Sequence, residues 1–243
     1  MIIAPTLHNH LIILNALFIF KTMDNRYSYE ALDSFEHIRL LILEPGRPDT
    51  PLQCDIIQVS IHKNHVQYEA ISYVWGSSDQ PSKIITPRGY ISITASLDRV
   101  LRRLRLQESR RVVWADAICI NQNDKTEKAV QVPLMSDIYA KAVQTLICLT
   151  EPLPPPASRS VLDAWYAKLK LGMCWFVLFG TSLVKKRWPP TWAEVKAVDL
   201  ALNQSWFGRV WTVQELVVSR YPTVLYGSFQ WNWNKFSDIA VVS

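Results

Sequence analysis

An aspartate within an apolar run is the first residue of this chain that could do chemistry. Asp116 lies in residues 112–122, VVWADAICINQ, a run typical of a strand that is buried on both faces. Burying a lone carboxylate is costly unless it is paired or hydrogen-bonded. The run therefore predicts either a polar site or a structural role, in which Asp116 holds a neighbouring loop through backbone N–H groups.

Glu215 is a second candidate carboxylate. It falls in a predicted helix over residues 207–219. Its stripe of that helix also carries Phe207, Trp211 and Val218. The pattern indicates an inward-facing, half-buried glutamate, and burial raises the pKa of a carboxyl group, which makes such residues functional candidates. The alternative is a salt bridge to Arg209 or to an arginine within residues 99–111.

Glu127 is the third candidate, and it also has a structural explanation. It follows Asp124 by three residues at the start of a predicted helix, in the form of a capping box. Familiar catalytic motifs are missing from the sequence: it has no phosphate-binding glycine loop, no nucleophile elbow and no zinc pattern. We therefore do not expect a metal site or a serine or cysteine triad.

A parallel sheet would position these residues. The apolar runs predict strands over residues 37–43, 54–61, 68–75, 112–120 and 143–149, and a hairpin over 83–86 and 90–94. A helix capped by Ser96 and a helix over 124–141, kinked or broken at Pro133, lie between later strands. Strands alternating with helices predict a mixed, largely parallel sheet, with the first strands as an antiparallel extension.

The polar residues that follow two of these strands define a cleft. Ligands bind open α/β sheets beyond the carboxyl ends of the strands. Asn121 and Gln122 lie at that end of the central strand, and Trp75 and Gly76 lie there too if their strand is parallel to it. We expect a polar cleft at this edge.

The second half of the chain is predicted to be mostly helical. After the prolines of residues 152–156, helices are predicted over 160–170, 171–184, 191–203 and 207–219, followed by a short strand pair, 221–226 and 229–233. The predicted organisation is a loosely packed appendage over residues 1–22, an α/β core over 36–151, and a helical subdomain over 157–243. The apolar runs 11–20 and 171–184 are too short to span a membrane.

Composition, charge and cysteine content indicate which partners and which location to expect. The chain has 243 residues, 49% hydrophobic, with a net charge of +5, and six of its arginines fall within residues 99–111. That basic cluster could attract phosphates or could be a solvated helix face. It lacks the interleaved aromatic residues of a single-strand platform, so nucleic acid is not expected. The four cysteines form no C-x-x-C motif and three lie within apolar runs, which indicates a reducing, cytoplasmic location.

Five ordered blocks resemble the fungal heterokaryon incompatibility (HET) domain. They are YEAISYVWG (68–76), ISITASL (91–97), WADAICINQ (114–122), the D-x-x-E…QV…M…IY run (124–139) and WFGRVWTVQE (206–215). The resemblance covers about residues 36–233. The chain departs from the family pattern at Ala115, at Lys128, at Pro133 and in the turn 148–150, where Cys-Leu-Thr replaces Trp-Leu-Gly.

The resemblance implies a role in fungal nonself recognition that ends in programmed cell death. HET domains are thought similar to Toll/interleukin-1 receptor (TIR) domains, which have a flavodoxin-like sheet. Some TIR domains self-associate, and some cleave NAD with a glutamate. The first expectation is therefore regulated association with a second copy or with another incompatibility protein, and the alternative is an NAD glycohydrolase. NAD would be the substrate, and no other cofactor is implied.

For the NAD-cleaving alternative, one of three carboxylates would act on the sugar, and Trp75 or Tyr73 would be a stacking surface. The candidate catalytic carboxylates are Glu215, Glu127 and Asp116. The candidate ligand-binding residues are Tyr73, Trp75, Gly76, Asn121, Gln122, Arg209 and Gln214.

Overall fold

The computed structural model describes residues 25–63, 66–149 and 190–242. The strands within these ranges are β1 His37–Leu43, β2 Leu52–Ser60, β3 Glu69–Tyr73, β4 Ser82–Thr86, β5 Gly89–Ile93, β6 Arg111–Trp114, β7 Gln144–Leu149, β8 Pro222–Tyr226 and β9 Phe229–Asn232. The helices are α1 Ala95–Leu104, α2 Asp116–Cys119, α3 Lys125–Lys141, α4 Trp192–Leu202, α5 Trp211–Val217 and α6 Trp233–Val242, with a 3₁₀ turn at Ser205–Gly208.

The described strands form one mixed sheet in the order β5-β4-β2-β1-β6-β3-β7-β8-β9. Its central strands β6, β3, β7 and β8 are parallel neighbours, as are β2 and β4. The remaining pairs are antiparallel, including β1 against both β2 and β6. The mixed α/β class and the antiparallel N-terminal strands are confirmed. A largely parallel arrangement holds for the centre of the sheet and not for its edges.

Strand β7 separates two hydrophobic clusters. Leu146 and Cys148 pack into a large cluster with α1, α2 and α3, whereas Ile147 and Leu149 pack into a smaller one with α4 and α6. Successive residues of a strand point to opposite faces, so β7 is covered on both sides. This explains the continuous apolar run that predicted it.

The strand predicted over residues 112–120 is wrong beyond Trp114. There β6 ends, and Asp116 opens the short helix α2. The Asp116 carboxylate accepts the backbone N–H of Ala117 at 2.8 Å, and the Tyr29 hydroxyl donates to the Ile118 carbonyl at 2.8 Å. Side chains thus satisfy backbone groups that a strand would have paired with a neighbour, and Asp116 faces the end of the sheet instead of its interior.

Helix α1 begins two residues earlier than expected. Thr94, not Ser96, is the N-cap, and its hydroxyl accepts the Leu97 N–H at 3.2 Å. Ser96 lies inside the helix, and its hydroxyl donates to the Val74 carbonyl. Ser96 therefore does not cap the helix, and its hydrogen bond instead joins α1 to the segment that follows β3.

Of the kink or break predicted at Pro133, the break is absent, because helix α3 runs through that residue. A proline removes one helical hydrogen bond, that of the carbonyl four residues earlier. Here that carbonyl belongs to Ala129, and both Ala129 and Pro133 are exposed. Water can therefore solvate the orphaned carbonyl, and the helix continues.

The C-terminal part departs from the prediction in two places. Residues 207–219 form a 3₁₀ turn and the short helix α5 instead of one helix, and α6 was not predicted. The helix over 191–203 and the final strand pair are confirmed as α4, β8 and β9, within a residue or two. The predicted helices 160–170 and 171–184 and the appendage 1–22 lie outside the described residues. No helix within the described ranges is long and apolar enough to cross a membrane.

Candidate functional site

A cleft of about 420 Å³ lies beyond the carboxyl ends of β3 and β6. The two strands are parallel neighbours, so the segments that follow them meet at one edge of the sheet. This confirms the predicted meeting of the Trp75-Gly76 turn with the segment after β6. The described residues that line the cleft are Val74, Trp75, Gly76, Asp116, Ile120, Gln122, Lys128, Val132, Met135, Arg209, Trp211 and Glu215.

Trp75 and Asp116 form the contact between the two strand ends. The indole Nε1 donates to both carboxylate oxygens, at 3.1 and 3.0 Å. Gly76 follows with φ of +71°, a backbone conformation that other residues rarely adopt. The turn therefore directs Trp75 back over α2, and a side chain at position 76 would strain it.

Desolvation raises the pKa of Asp116 to about 6, from an ordinary value of 3.8. The nearby Glu215 carboxylate also contributes to this rise, while the Trp75 hydrogen bond and the Arg209 charge oppose it, and the value of about 6 includes all of these effects. A carboxyl group of this kind changes its charge within the physiological pH range. It could act as an acid, as a base or as the switch of a binding site.

Glu215 is the more deeply buried carboxylate of the cleft, with 3% of its surface exposed. The buried Ser72 hydroxyl donates to Glu215 Oε2, and the Trp206 indole N–H donates to Ser72 Oγ at 2.6 Å. Burial raises the Glu215 pKa, and the Ser72 hydrogen bond and Arg209 oppose that shift. A chain of donors therefore holds Glu215 in one position from behind.

Arg209 connects the 3₁₀ turn to the rest of the cleft. Its guanidinium donates to the Tyr73 carbonyl and lies 3.9 Å from Glu215 Oε1. It also lowers the pKa of Asp116. One arginine thus compensates two carboxylates and fixes the end of β3. The salt bridge expected between Glu215 and Arg209 is present at the edge of contact distance.

Two tryptophans and a lysine complete the cleft wall. Trp75 is 38% exposed and Trp211 51% exposed, so both offer ring surface to a bound molecule. The Lys128 ammonium donates to the Gln122 carbonyl at 3.4 Å, and the Gln122 amide donates to the Asp116 carbonyl at 2.8 Å. The cleft therefore combines aromatic faces, two titratable carboxyl groups and two cations, which suits a flat, polar small molecule.

Glu127 does not lie in the cleft. Its carboxylate is held by the buried Arg39, with oxygens 2.6 and 3.0 Å from the two guanidinium nitrogens, and it accepts the Asn121 N–H at 2.7 Å. The capping-box explanation is also wrong, because Glu127 does not return to Asp124, although Asp124 does cap the helix. Glu127 instead anchors the turn that follows α2.

Three further sequence candidates lie outside the cleft lining. Asn121 turns its side chain to the Asn123 N–H at 3.2 Å, and Gln214 lies one position away from Glu215 on α5. Tyr73 is buried beneath the cleft, and its hydroxyl has no hydrogen-bond partner in the described structure. Burial and the nearby Asp116 raise the pKa of Tyr73 well above its usual range.

Several important residues were not predicted. Ser72 and Trp206 hold Glu215, and Trp211 and Lys128 line the cleft. Ser72 is itself buried between Ile71 and Tyr73 on β3, and a small hydroxyl within a buried strand was the sequence signal that could have identified it. Within the described residues no group of acidic, histidine or cysteine side chains could hold a metal ion.

The arginines of residues 99–111 are mostly engaged within the protein. Arg102 pairs with Asp98, Arg110 with Glu44 and Arg111 with Glu69. Arg105 donates to three backbone carbonyls of the 47–51 segment. Arg102 and Arg105 fasten the end of α1 to the 47–51 segment, whereas Arg110 and Arg111 are held by carboxylates elsewhere in the fold. The cluster is therefore neither a free basic patch nor a simple solvated face.

The chain resembles known proteins over the part that builds the cleft. The family model described as heterokaryon incompatibility protein (HET) matches residues 68–215. Heterokaryon incompatibility protein 6, OR allele, of Neurospora crassa is 32% identical over 234 residues, which cover 79% of this chain and 34% of that protein. The chain therefore spans about a third of the length of that relative. No solved structure matches it. Since the family model covers more than half of the sequence, this chain belongs to the heterokaryon incompatibility (HET) family.

Proposed function

We propose that this chain is a HET-domain module of fungal nonself recognition. It triggers programmed cell death in the cytoplasm, by regulated association with a second copy or with another incompatibility protein. Support comes from the family match and from the Neurospora relative, which is named as a heterokaryon incompatibility protein.

The observation that carries the proposal is the position of the cleft within the matched region. Each described cleft residue, from Val74 to Glu215, falls within residues 68–215. They come from segments that are far apart in the sequence and that meet only in the folded protein. We infer that the cleft is the working centre of the module and that its occupancy controls association.

A flavodoxin-like, TIR-related core is part of the same proposal. The parallel neighbours β6-β3-β7-β8, with a cleft at their carboxyl ends, support it. The antiparallel pairing of β1 with β6 places further strands beside this core. In the proposal these strands are an addition of this family to a common parallel centre.

The geometry of the two cleft carboxylates favours association over NAD cleavage as the function of this chain. Cleavage of a glycosidic bond requires a carboxylate that can approach the sugar. Glu215 is 3% exposed, and Ser72 and Arg209 occupy both of its oxygens. Asp116 is the more accessible carboxyl group, but Trp75 engages both of its oxygens. Neither carboxylate is therefore free to attack the sugar or to stabilise the positive charge that develops on it.

The test is inducible expression in a fungal host, with viability and protein level measured together. We expect the wild-type chain to reduce viability, and Asp116→Asn and Arg209→Gln to relieve this at equal protein level. Asp79→Asn is the matched control, because Asp79 is an exposed carboxylate of the turn beside Trp75. Full viability with the wild-type chain, or equal toxicity of all variants, would reject the cleft as the working centre.

The mechanism needs two further measurements on purified protein. Light scattering at increasing concentration should show a larger species for wild type and Asp79→Asn than for Asp116→Asn. Incubation of the assembled protein with NAD should release no nicotinamide. Release that Asp116→Asn or Glu215→Gln abolishes would reverse the order of the two functions.

A further inference from the structure

A second cavity, of about 140 Å³, lies between α1 and the β8–β9 hairpin. Its floor is apolar, with Leu146 of β7 and Leu225 of β8. Its walls carry polar groups, among them the guanidinium groups of Arg103 and Arg111. None of its lining residues lines the Asp116 cleft, so it is a separate site.

Arg103 is the unusual residue of this cavity. It is partly buried, and its only described contact is a hydrogen bond from its guanidinium to the Phe229 carbonyl, at 3.2 Å. Among the described residues no carboxylate lies within ion-pair distance of it, whereas Arg102, Arg110 and Arg111 each have one. Desolvation lowers the pKa of Arg103. A partly buried cation without a counter-charge is costly, and an anion in the cavity would relieve that cost.

Arg111 forms a fixed wall beside Arg103. Its guanidinium donates to both oxygens of Glu69 and to the Leu104 carbonyl. These contacts neutralise its charge and hold it in place. Among the described lining residues, Arg103 is therefore the one whose charge faces the cavity without compensation, which favours a small anion over an extended acidic partner.

The hairpin supplies the remaining donors. Ser228 and Gln230 line the cavity on exposed positions on either side of Phe229, and the described structure gives their side chains no hydrogen bond. A hydroxyl, an amide and a guanidinium fork that surround one small space match the oxygens of a phosphoryl group. Liquid water takes about 30 Å³ per molecule, so the cavity has room for a tetrahedral oxyanion and not for a whole nucleotide.

We propose that this cavity binds a phosphoryl group through Arg103, Ser228 and Gln230. The group is either free phosphate or the phosphate end of a larger molecule that extends into solvent past Gln230. This site is independent of the Asp116 cleft and of the function proposed for it.

The test is binding of inorganic phosphate to the purified chain, followed by ³¹P NMR line broadening and by thermal unfolding, against sodium chloride at equal ionic strength. The wild-type chain should bind phosphate, and Arg103→Gln should weaken binding at least tenfold. Arg99→Gln is the matched control, because Arg99 is an exposed arginine of the same helix. Equal phosphate binding by all three proteins, or none by wild type, would overturn the proposal.

Two further variants protect the test from a folding defect of Arg103→Gln. Ser228→Ala and Gln230→Ala alter exposed hairpin side chains and should each weaken phosphate binding severalfold with unchanged circular dichroism. Unchanged binding in both would remove the hairpin from the site and overturn the proposal as stated. Comparison of phosphate with ribose 5-phosphate identifies the source, since tighter binding of the sugar phosphate supports a larger ligand and equal or weaker binding supports free phosphate.

Discussion

The Trp75 indole N–H donates to both carboxylate oxygens of Asp116, at 3.1 and 3.0 Å, and thereby joins the end of β3 to the end of β6. The bond opposes desolvation, which still raises the Asp116 pKa to about 6. The cleft thus holds a carboxyl group whose charge depends on pH near neutrality. Its hydrogen-bond donor is also one of the cleft's exposed aromatic rings.

The raised pKa of Asp116 predicts that this residue stabilises the fold less as pH rises. The folded protein holds the proton more tightly than the unfolded chain, so the contribution is complete below about pH 4 and is lost as pH rises through about 6. A shift of this size corresponds to on the order of 3 kcal/mol. Asp116→Asn should therefore reduce the pH dependence of the unfolding free energy between pH 4 and 7, measured by urea denaturation.

Asp79→Asn is the control for this experiment, since it removes a neighbouring exposed carboxylate without touching the cleft. It should keep the wild-type pH dependence. Glu215, whose pKa burial also raises, accounts for part of the dependence that remains in Asp116→Asn. The same slope in Asp116→Asn as in wild type would contradict the prediction.

Arg209 lowers the pKa of both cleft carboxyl groups, so its removal should raise them. We expect Arg209→Gln to move the titration midpoint of Asp116 above about 6, as followed by carboxyl ¹³C NMR. Arg220→Gln removes an exposed arginine just beyond α5 and serves as the control. If the midpoint falls or is unchanged in Arg209→Gln, Arg209 does not compensate the pair.

The sequence predicted the cleft because its position depends on strand direction alone. Two predicted apolar strands were followed by polar turns, one at Trp75-Gly76 and one at residues 121–124. Such turns lie close together when the two strands are parallel neighbours, as β3 and β6 are. Helical periodicity also predicted an inward-facing Glu215, which is buried, although Trp211 of the same predicted stripe is 51% exposed. These features are local or topological and need no knowledge of distant partners.

What could not be predicted depends on contacts between distant residues. Tyr29 and Arg39 stabilise the helical turn that follows β6. Their side chains donate hydrogen bonds to the carbonyls of Ile118 and Cys119, which are 80 or more residues away in the sequence. Because most residues of α2 are apolar, composition alone predicted that the strand continued through them. Glu127 matched a local capping pattern, but its carboxylate forms an ion pair with Arg39 of β1. Tertiary partners overrode local propensity at these positions.

The buried pair of Arg39 and Glu127 predicts a large loss of stability when one partner is removed. Their side chains are 1% and 9% exposed, and Arg39→Met leaves Glu127 without its counter-charge. Removal of one member of such a pair costs about 3 to 5 kcal/mol. Arg39→Met and Glu127→Leu together should cost clearly less than the sum of the two single changes, as measured by urea denaturation.

The exposed pair of Arg110 and Glu44 is the matched control, with a nitrogen–oxygen distance of 3.0 Å. Surface pairs contribute about 0 to 1 kcal/mol, so Arg110→Met should have little effect. Additive effects of Arg39→Met and Glu127→Leu would show that the two side chains act separately. The anchoring of the turn after α2 would then need another explanation.

Pro133 predicts a stabilising substitution within α3. It is exposed and occupies a helix interior, where proline is about 3 kcal/mol less favourable than alanine. Pro133→Ala restores the N–H that can donate to the Ala129 carbonyl, so the unfolding free energy should rise by up to about 3 kcal/mol. Asp137→Ala, an exposed change one turn later, should alter stability far less. A lower melting temperature for Pro133→Ala would mean that the helix depends on a distortion that the proline maintains.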